Sequence, residues 1–228
     1  MIPDQVNNHQ RAQTDFSWLG NITPIISGRA YPWIKRFLDI LITLIFSPIW
    51  VPLIGLIYIL IKIESPAGPA FFIQDRTGKN GRRFKLYKFR TMVENAEELK
   101  DQLWHLNELE WPDFKITDDP RITKIGKILR KTSLDELPQL FNILIGDMSL
   151  VGPRPTFFSS EDYDIWQTER LDIAPGLTGL WQLYGRGEVI FDDRARMDIL
   201  YVQYCSLGLD FYILFKTPFV VIKQKGAK

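Results

Sequence analysis

The sequence predicts an α+β fold: helix-rich, with a small sheet and, near the N-terminus, an apolar helix-break-helix hairpin. Three patterns predict it. A run of 22 uncharged residues, 40–61, carries Ser47-Pro48 near its middle. Two short apolar stretches, AFFIQDR and FKLYKFR, flank a glycine-bounded loop, as paired strands do. Beyond them, segments with helical spacing of apolar residues recur to the C-terminus, punctuated by Gly and Pro.

Composition narrows the chemistry. The chain has 228 residues, enough for one domain with appendages, and is 46% hydrophobic and 24% charged, which excludes a disordered chain. Lys and Arg total 28 against 27 Asp and Glu, a net charge of +1 that argues against a nucleic-acid binder recruited by bulk charge. The single Cys205 cannot form an internal disulfide, and with only His9 and His105 beside it no soft-ligand zinc site can be assembled. Any metal must be a hard ion held by carboxylates, such as magnesium.

Three regions are expected: an arm over residues 1–30, a re-entrant membrane helix over 31–65, and a further domain over 66–228. The arm lacks a clear period. The uncharged run would be roughly 33 Å long as a helix, enough to cross a bilayer core of about 30 Å. Pro48, with Pro52 one turn later, breaks it. Lys35 and Arg36 precede it, while Lys62, Arg76, Lys79, Arg82, Arg83, Lys85, Lys88 and Arg90 follow, so a single span would have both flanks basic. A re-entrant hairpin that enters and leaves by one face relieves that conflict and is favoured over a bent full span. The Ser47 hydroxyl is a candidate partner for backbone groups freed at the bend. Asp39 is expected near the interface, meeting Arg36 or a lipid headgroup.

After the strands, Met92, Ala96, Leu99, Leu103 and Leu106 predict an amphipathic helix over 91–110. Asp119-Pro120 predicts a cap and first turn for ITKIGKILR. LPQLFNILI predicts a helix ending at Gly146. Helices are expected over 160–173 and 192–206, with turn and short strand over 175–187. The terminal run DFYILFKTPFVVIKQKGAK, with Trp181, Tyr201 and Tyr204, reads either as an interfacial helix in the bilayer boundary or as a core helix.

The densest functional signal is RKTSLDELPQLFNILIGDMSLVGPRP, residues 130–155. Asp135 and Glu136 are adjacent acids where a helix opens. Ser133-x-x-Glu136 matches a capping box, while Pro138 favours a helix starting just after the acids. Arg121, Lys124, Lys127, Arg130 and Lys131 stand before the pair and Arg154 after it, between Pro153 and Pro155. On the presumed second strand Lys85, Lys88 and Arg90 alternate with apolar residues, and Lys88 and Arg90 share a face. Two convergent basic sets around a carboxylate pair suggest a polyphosphate site with a divalent ion. No P-loop, G-x-G-x-x-G or G-x-S-x-G motif occurs. Asp162-Tyr163-Asp164 has the D-x-D spacing of metal-dependent glycosyltransferases, at an expected helix start where acids serve equally as caps.

At these residues the chain resembles the bacterial monotopic phosphoglycosyl transferases. Five stretches in order carry the resemblance: the Ser47-Pro48 hairpin, RTGKNGRRFKLYKFRTM, residues 118–155, PGLTGLWQLYGR, and MDILYVQYCSLGLDFYILFKT. The resemblance implies transfer of a sugar-1-phosphate from a UDP-sugar to polyprenyl (undecaprenyl) phosphate with release of UMP, the first membrane step of polysaccharide assembly. It implies that Asp135 attacks the β-phosphorus, forming a phosphosugar-aspartyl intermediate, and that Glu136 holds Mg2+. Lys88, Arg130, Arg154 and Asp198 match positions the family treats as functional, and Arg90 and Arg186, the latter in the YGR motif, join them as candidate phosphate-binding residues. The implied location is the cytoplasmic face of the bacterial inner membrane, as a monomer or homo-oligomer, with galactose or glucose favoured as the sugar. The competing readings are a membrane-bound glycosyltransferase that uses Asp162 and Asp164 and releases UDP, and a non-enzymatic, hairpin-anchored adaptor.

Overall fold

The computed structural model describes residues 16, 19, 27–108, 114, 116–185 and 189–222. It is helix-rich with two small sheets, as the sequence predicts. The apolar segment forms two helices, α1 (Tyr31–Ile45) and α2 (Ser47–Glu64), which meet at Phe46. Pro48 in the first turn of α2 has no N–H to give, and the Ser47 hydroxyl instead donates to the Leu44 carbonyl at 2.7 Å. The indole N–H of Trp50 reaches back to the Thr43 carbonyl at 2.8 Å, so two carbonyls at the end of α1 are satisfied across the break. Among the described residues α2 is the one helix long and apolar enough to cross a membrane, with 22% of it buried. Trp33, Phe37, Leu44, Ile49, Ile59 and Ile63 are exposed along the pair.

The two helices are bound to the rest of the chain by polar contacts. Arg36 donates to the Ile143 and Leu144 carbonyls, at the end of α5 (Gln139–Ile145). Asp39 is buried and accepts from the Leu150 amide at 3.1 Å, rather than meeting Arg36 or the interface, because β3 (Ser149–Val151) runs beside α1. Glu64, the last residue of α2, accepts from the Lys124 and Ile125 amides and so closes the start of α4 (Lys124–Thr132).

Strands β1 (Phe71–Thr77) and β2 (Arg83–Phe89) pair antiparallel, with Phe72 opposite Lys88 and Arg76 opposite Phe84. The free edge of β2 is met by a side chain: Asn142 on α5, fully buried, accepts from the Tyr87 amide at 3.1 Å and donates to the Lys85 carbonyl at 2.7 Å. The second sheet pairs β3 with β4 (Gly176–Thr178) in parallel. A β-carbon on Gly176 would lie 2.0 Å from the Gly152 nitrogen, so this pairing requires glycine. The core gathers Phe89, Ile143, Met148, Val151, Leu180, Tyr201, Leu209 and Ile213.

Several expected elements differ. The helix over 91–110 is confined to α3 (Glu98–Gln102) and a 3-10 turn at Trp104–Leu106, with residues 109 and 110 outside the described set. Met92 instead bridges Ile122 and the Val93 amide donates to the Arg121 carbonyl, which holds the start of the segment extended. Asp119 is no cap. Arg121 takes both its oxygens, and α4 starts later, capped by Thr123. The Ser133 capping box does not form, because Ser133 ends α4 in the left-handed region, and α5 begins after Pro138 as the proline favours. Residues 160–173 are two 3-10 segments parted by extended Tyr163, and the 175–187 stretch holds a helix, α6 (Leu180–Tyr184), after its strand.

The final helices are α7 (Phe191–Tyr204) and α8 (Leu207–Ile222). Helix α8 is core on one side, through Leu209 and Ile213, while Phe211, Phe215, Phe219 and Ile222 are exposed on the other. Tyr201 and Trp181 do not join an interfacial face. Tyr201 is fully buried and donates to Asp210, which also accepts from Tyr31 at 2.9 Å and Lys35 at 3.0 Å. Trp181 faces a cavity.

Candidate active site

The cavity, about 740 Å³, opens between β1–β2, the Leu134–Glu136 turn and the start of α6. Lys88, Arg90, Arg130, Asp135, Glu136, Arg154, Trp181 and Gln182 line it. The turn that carries the two acids exists because α4 stops at Ser133 and Pro138 delays α5, leaving one tight 3-10 turn between helices. Arg154 arrives from the opposite wall on the Pro153-Arg154-Pro155 segment that follows β3.

The two carboxylates have different surroundings. Glu136 is clamped: Lys88 donates to Oε1 at 2.9 Å, and Arg154 donates to both oxygens, one of them at 3.2 Å. Burial pushes Glu136 toward the neutral form, but the charges and hydrogen bonds of Arg154 and Lys88 overcome it and hold the carboxyl well below the usual range. Asp135 accepts no hydrogen bond among the described residues. Burial pushes its pKa above the usual aspartate range and the Glu136 charge adds to this, against Lys88, Arg154 and Arg130. Arg130 donates to the Thr91 hydroxyl at 2.9 Å, and burial lowers its pKa from the usual arginine range while the nearby Asp135 charge opposes this.

The other sequence-predicted residues fall as follows. Arg90 lies on the cavity wall, buried, with its guanidinium on the Ser65 carbonyl at 3.0 Å and Glu94 at 3.5 Å. Lys85 is turned away and pairs with Asp75 on the surface. Asp198 is not on the wall. It is completely buried behind it, paired with Arg170, and burial raises its pKa to about 6. Arg170 also donates to the Arg154 carbonyl at 2.7 Å, so this pair supports the segment that presents Arg154. Arg186 lies outside the described residues. Ser47 and Pro48 form the break between α1 and α2, away from the cavity. Asp162 and Asp164 serve as capping partners, Asp162 accepting from the Ser159 amide at 2.7 Å and Asp164 closing a box with Gln167.

Sequence reasoning missed Trp181 and Thr91. Trp181 has the Arg154 guanidinium over its ring at 6.0 Å, and its place in PGLTGLWQLYGR after a glycine-bounded strand was the available signal. Thr91 follows the basic strand directly and fixes Arg130.

The donor set also bears on a metal. Among the described residues no group of three or more His, Cys, Asp or Glu side chains gathers as a ready-made cage. Magnesium is commonly held by one or two carboxylates together with substrate phosphates and water. A carboxylate offers about four lone-pair positions, and Glu136 has committed three. One position on Glu136 and all of Asp135 remain, which fits an ion that arrives with a diphosphate.

Residues 30–224 match the family model described as bacterial sugar transferase. The chain is similar to the galactosyl transferase CpsE of Streptococcus agalactiae, at 46% identity over 85% of this chain and 43% of that protein. It is similar to the undecaprenyl-phosphate galactose phosphotransferase of Salmonella typhimurium, at 43% identity over 89% of this chain and 43% of the other. It is also 42% identical to the exopolysaccharide production protein ExoY of Rhizobium meliloti, covering 85% of this chain and 87% of that one. The chain thus spans less than half of the first two relatives and most of the third.

Proposed function

The chain belongs to the bacterial sugar transferase family, and from that premise we propose that it transfers a sugar-1-phosphate from a UDP-sugar to undecaprenyl phosphate and releases UMP. One observation carries the reading: an unclamped aspartate, Asp135, faces a cavity lined by Lys88, Arg130 and Arg154, beside a glutamate that Lys88 and Arg154 hold in place. Phosphoryl transfer asks for this arrangement, an anionic nucleophile within a cationic cradle that offsets its repulsion from the phosphates.

In the first step an Asp135 oxygen attacks the β-phosphorus. The bond to the bridging oxygen breaks, its electron pair leaves with UMP, and a phosphosugar-aspartyl acyl phosphate forms. In the second step an oxygen of undecaprenyl phosphate attacks the same phosphorus and Asp135 departs as carboxylate. Lys88, Arg130 and Arg154 hold the phosphates in line, and Arg186 is proposed to join them. Glu136 would hold magnesium, which when bound supplies charge neutralisation at the phosphate oxygens. Galactose is proposed as the sugar, supported by the names of two relatives, a galactosyl transferase and a galactose phosphotransferase.

We place the exposed apolar faces of α1 and α2 in the cytoplasmic membrane as a re-entrant hairpin, with the cavity on the cytoplasmic side, where a lipid phosphate and a soluble nucleotide sugar can meet. The alternative that releases UDP through Asp162 and Asp164 is disfavoured by their use as caps. The test is nucleotide release by purified protein given magnesium, undecaprenyl phosphate and a panel of UDP-sugars. UMP from one donor, abolished in Asp135→Asn, is the expected result. UDP as the product would refute the proposal.

A further inference from the structure

We propose that Arg76 is a further phosphate-binding residue of this site, placed at the edge of the cavity to take an oxygen of a substrate phosphate. Arg76 lies on β1, where side chains alternate between faces. Phe72, Gln74 and Arg76 share one face, opposite Lys88, Leu86 and Phe84. Phe72, Gln74 and Lys88 line the cavity, so Arg76 is one step further along the same face, about 7 Å beyond Gln74.

Its partners do not account for its charge. One guanidinium nitrogen donates to the Gln74 side chain at 2.5 Å, and the Phe157 ring lies under the guanidinium at 6.0 Å. The Nε is buried with no hydrogen bond, and no carboxylate stands within ion-pair distance among the described residues. Arg90, Arg121 and Arg170, which are buried, each have a carboxylate. A cation withdrawn from water without a counter-charge is unfavourable, and here Arg154 and Arg83 add repulsion while Glu136 gives partial relief. Burial accordingly lowers the Arg76 pKa to about 10. An anion beside Arg76 would supply the counter-charge it lacks among the described residues, and could also take the Arg154 N–H groups not given to Glu136. A tetrahedral phosphate suits two planar guanidinium forks better than a second carboxylate does, because it offers oxygens on several sides.

The inference rests on the proposed transfer only for the identity of the phosphate, which could come from the nucleotide diphosphate or from the lipid phosphate. The probe is therefore inorganic pyrophosphate, titrated calorimetrically into the full chain in detergent micelles. Arg76→Met should weaken binding about 10- to 100-fold, the size expected for a hydrogen bond to a charged group. Arg76→Lys should be intermediate, and Lys79→Met, on the exposed turn after β1, unchanged. Steady-state kinetics then assign the source. A raised KM for the UDP-sugar in Arg76→Met identifies the donor diphosphate, and a raised KM for undecaprenyl phosphate alone identifies the acceptor. If Arg76→Met does not fold, Arg76→Lys carries the same comparison. Pyrophosphate binding unchanged in a folded variant, or absent from the unaltered chain, would overturn the inference. Arg76-dependent binding by a chain that releases no UMP would uphold it while refuting the transfer reaction.

Discussion

Replacing Arg154 by lysine keeps a positive charge beside Glu136 but removes the fork. Arg154 donates to both Glu136 oxygens, whereas a lysine can hold one. A hydrogen bond to a charged group contributes about 1.5–3 kcal/mol. The Arg154 side chain is 33% exposed, so solvent screening reduces the loss to about 1–2 kcal/mol. If Glu136 must keep its position through the transfer, kcat/KM for UMP release falls about 5- to 30-fold. Arg154→Met removes both contacts and leaves Lys88 as the one cation on Glu136 among the described residues, so its loss should exceed 100-fold, by a deficit of about 3 kcal/mol. The assay is initial-rate UMP release at subsaturating UDP-sugar, with denaturant unfolding in the same detergent as the control for fold. A lysine variant within twofold of the unaltered chain, or methionine and lysine variants equally impaired, would refute the clamp.

Three further outcomes follow from the same geometry. Asp135 must be ionised to attack, and its pKa is raised, so kcat/KM should fall as pH drops through a limb lying above the ordinary aspartate value of about 3.9; a rate flat down to about pH 4 in folded protein would contradict this. Arg170→Met leaves Asp198 buried without its partner and should cost about 3–5 kcal/mol of stability, read by denaturant unfolding. The double variant Arg170→Met/Asp198→Leu should recover most of that stability but not kcat, because the Arg154 carbonyl still lacks its donor. In a Cys205→Ser background, cysteines placed at Ser27 and Ala227 should both react with an impermeant maleimide from the cytoplasmic side only, and labelling from opposite sides would replace the re-entrant hairpin with a span.

What could be read in the sequence was whatever depends on near neighbours. The break at Phe46 follows from Pro48, and the Ser47 hydroxyl finds its carbonyl three residues away. The β1–β2 pair follows from alternation around a glycine loop, and the start of α5 from Pro138. What could not be read depends on distant partners. The apolar spacing over 91–110 is a genuine helical pattern, yet Met92 and Val93 are held by Ile122 and Arg121, whose approach no local rule reports. Asp119-Pro120 looks like a cap until Arg121 takes both carboxylate oxygens. Arg76 reads as one more flanking charge until the surrounding fold withdraws it from water and gives it no carboxylate among the described residues.

The adjacent acids show the same division within a single turn. Their sequence marks a site but cannot say which acid reacts, since Asp135 and Glu136 share one helix entrance and one set of basic neighbours. The fold separates them: Glu136 turns between Lys88 and Arg154 and is held ionised, while Asp135 has no hydrogen bond among the described residues and a raised pKa. Two carboxylates whose environments push their pKa values apart are suited to different tasks. A carboxylate spread over three charge-assisted hydrogen bonds is a poor nucleophile and a good fixed charge. One that is desolvated, with no hydrogen bond among the described residues, keeps in its ionised form the basicity that attack on phosphorus needs. That asymmetry supports Asp135 as the attacking group and Glu136 as the holder, on physical grounds independent of any relative.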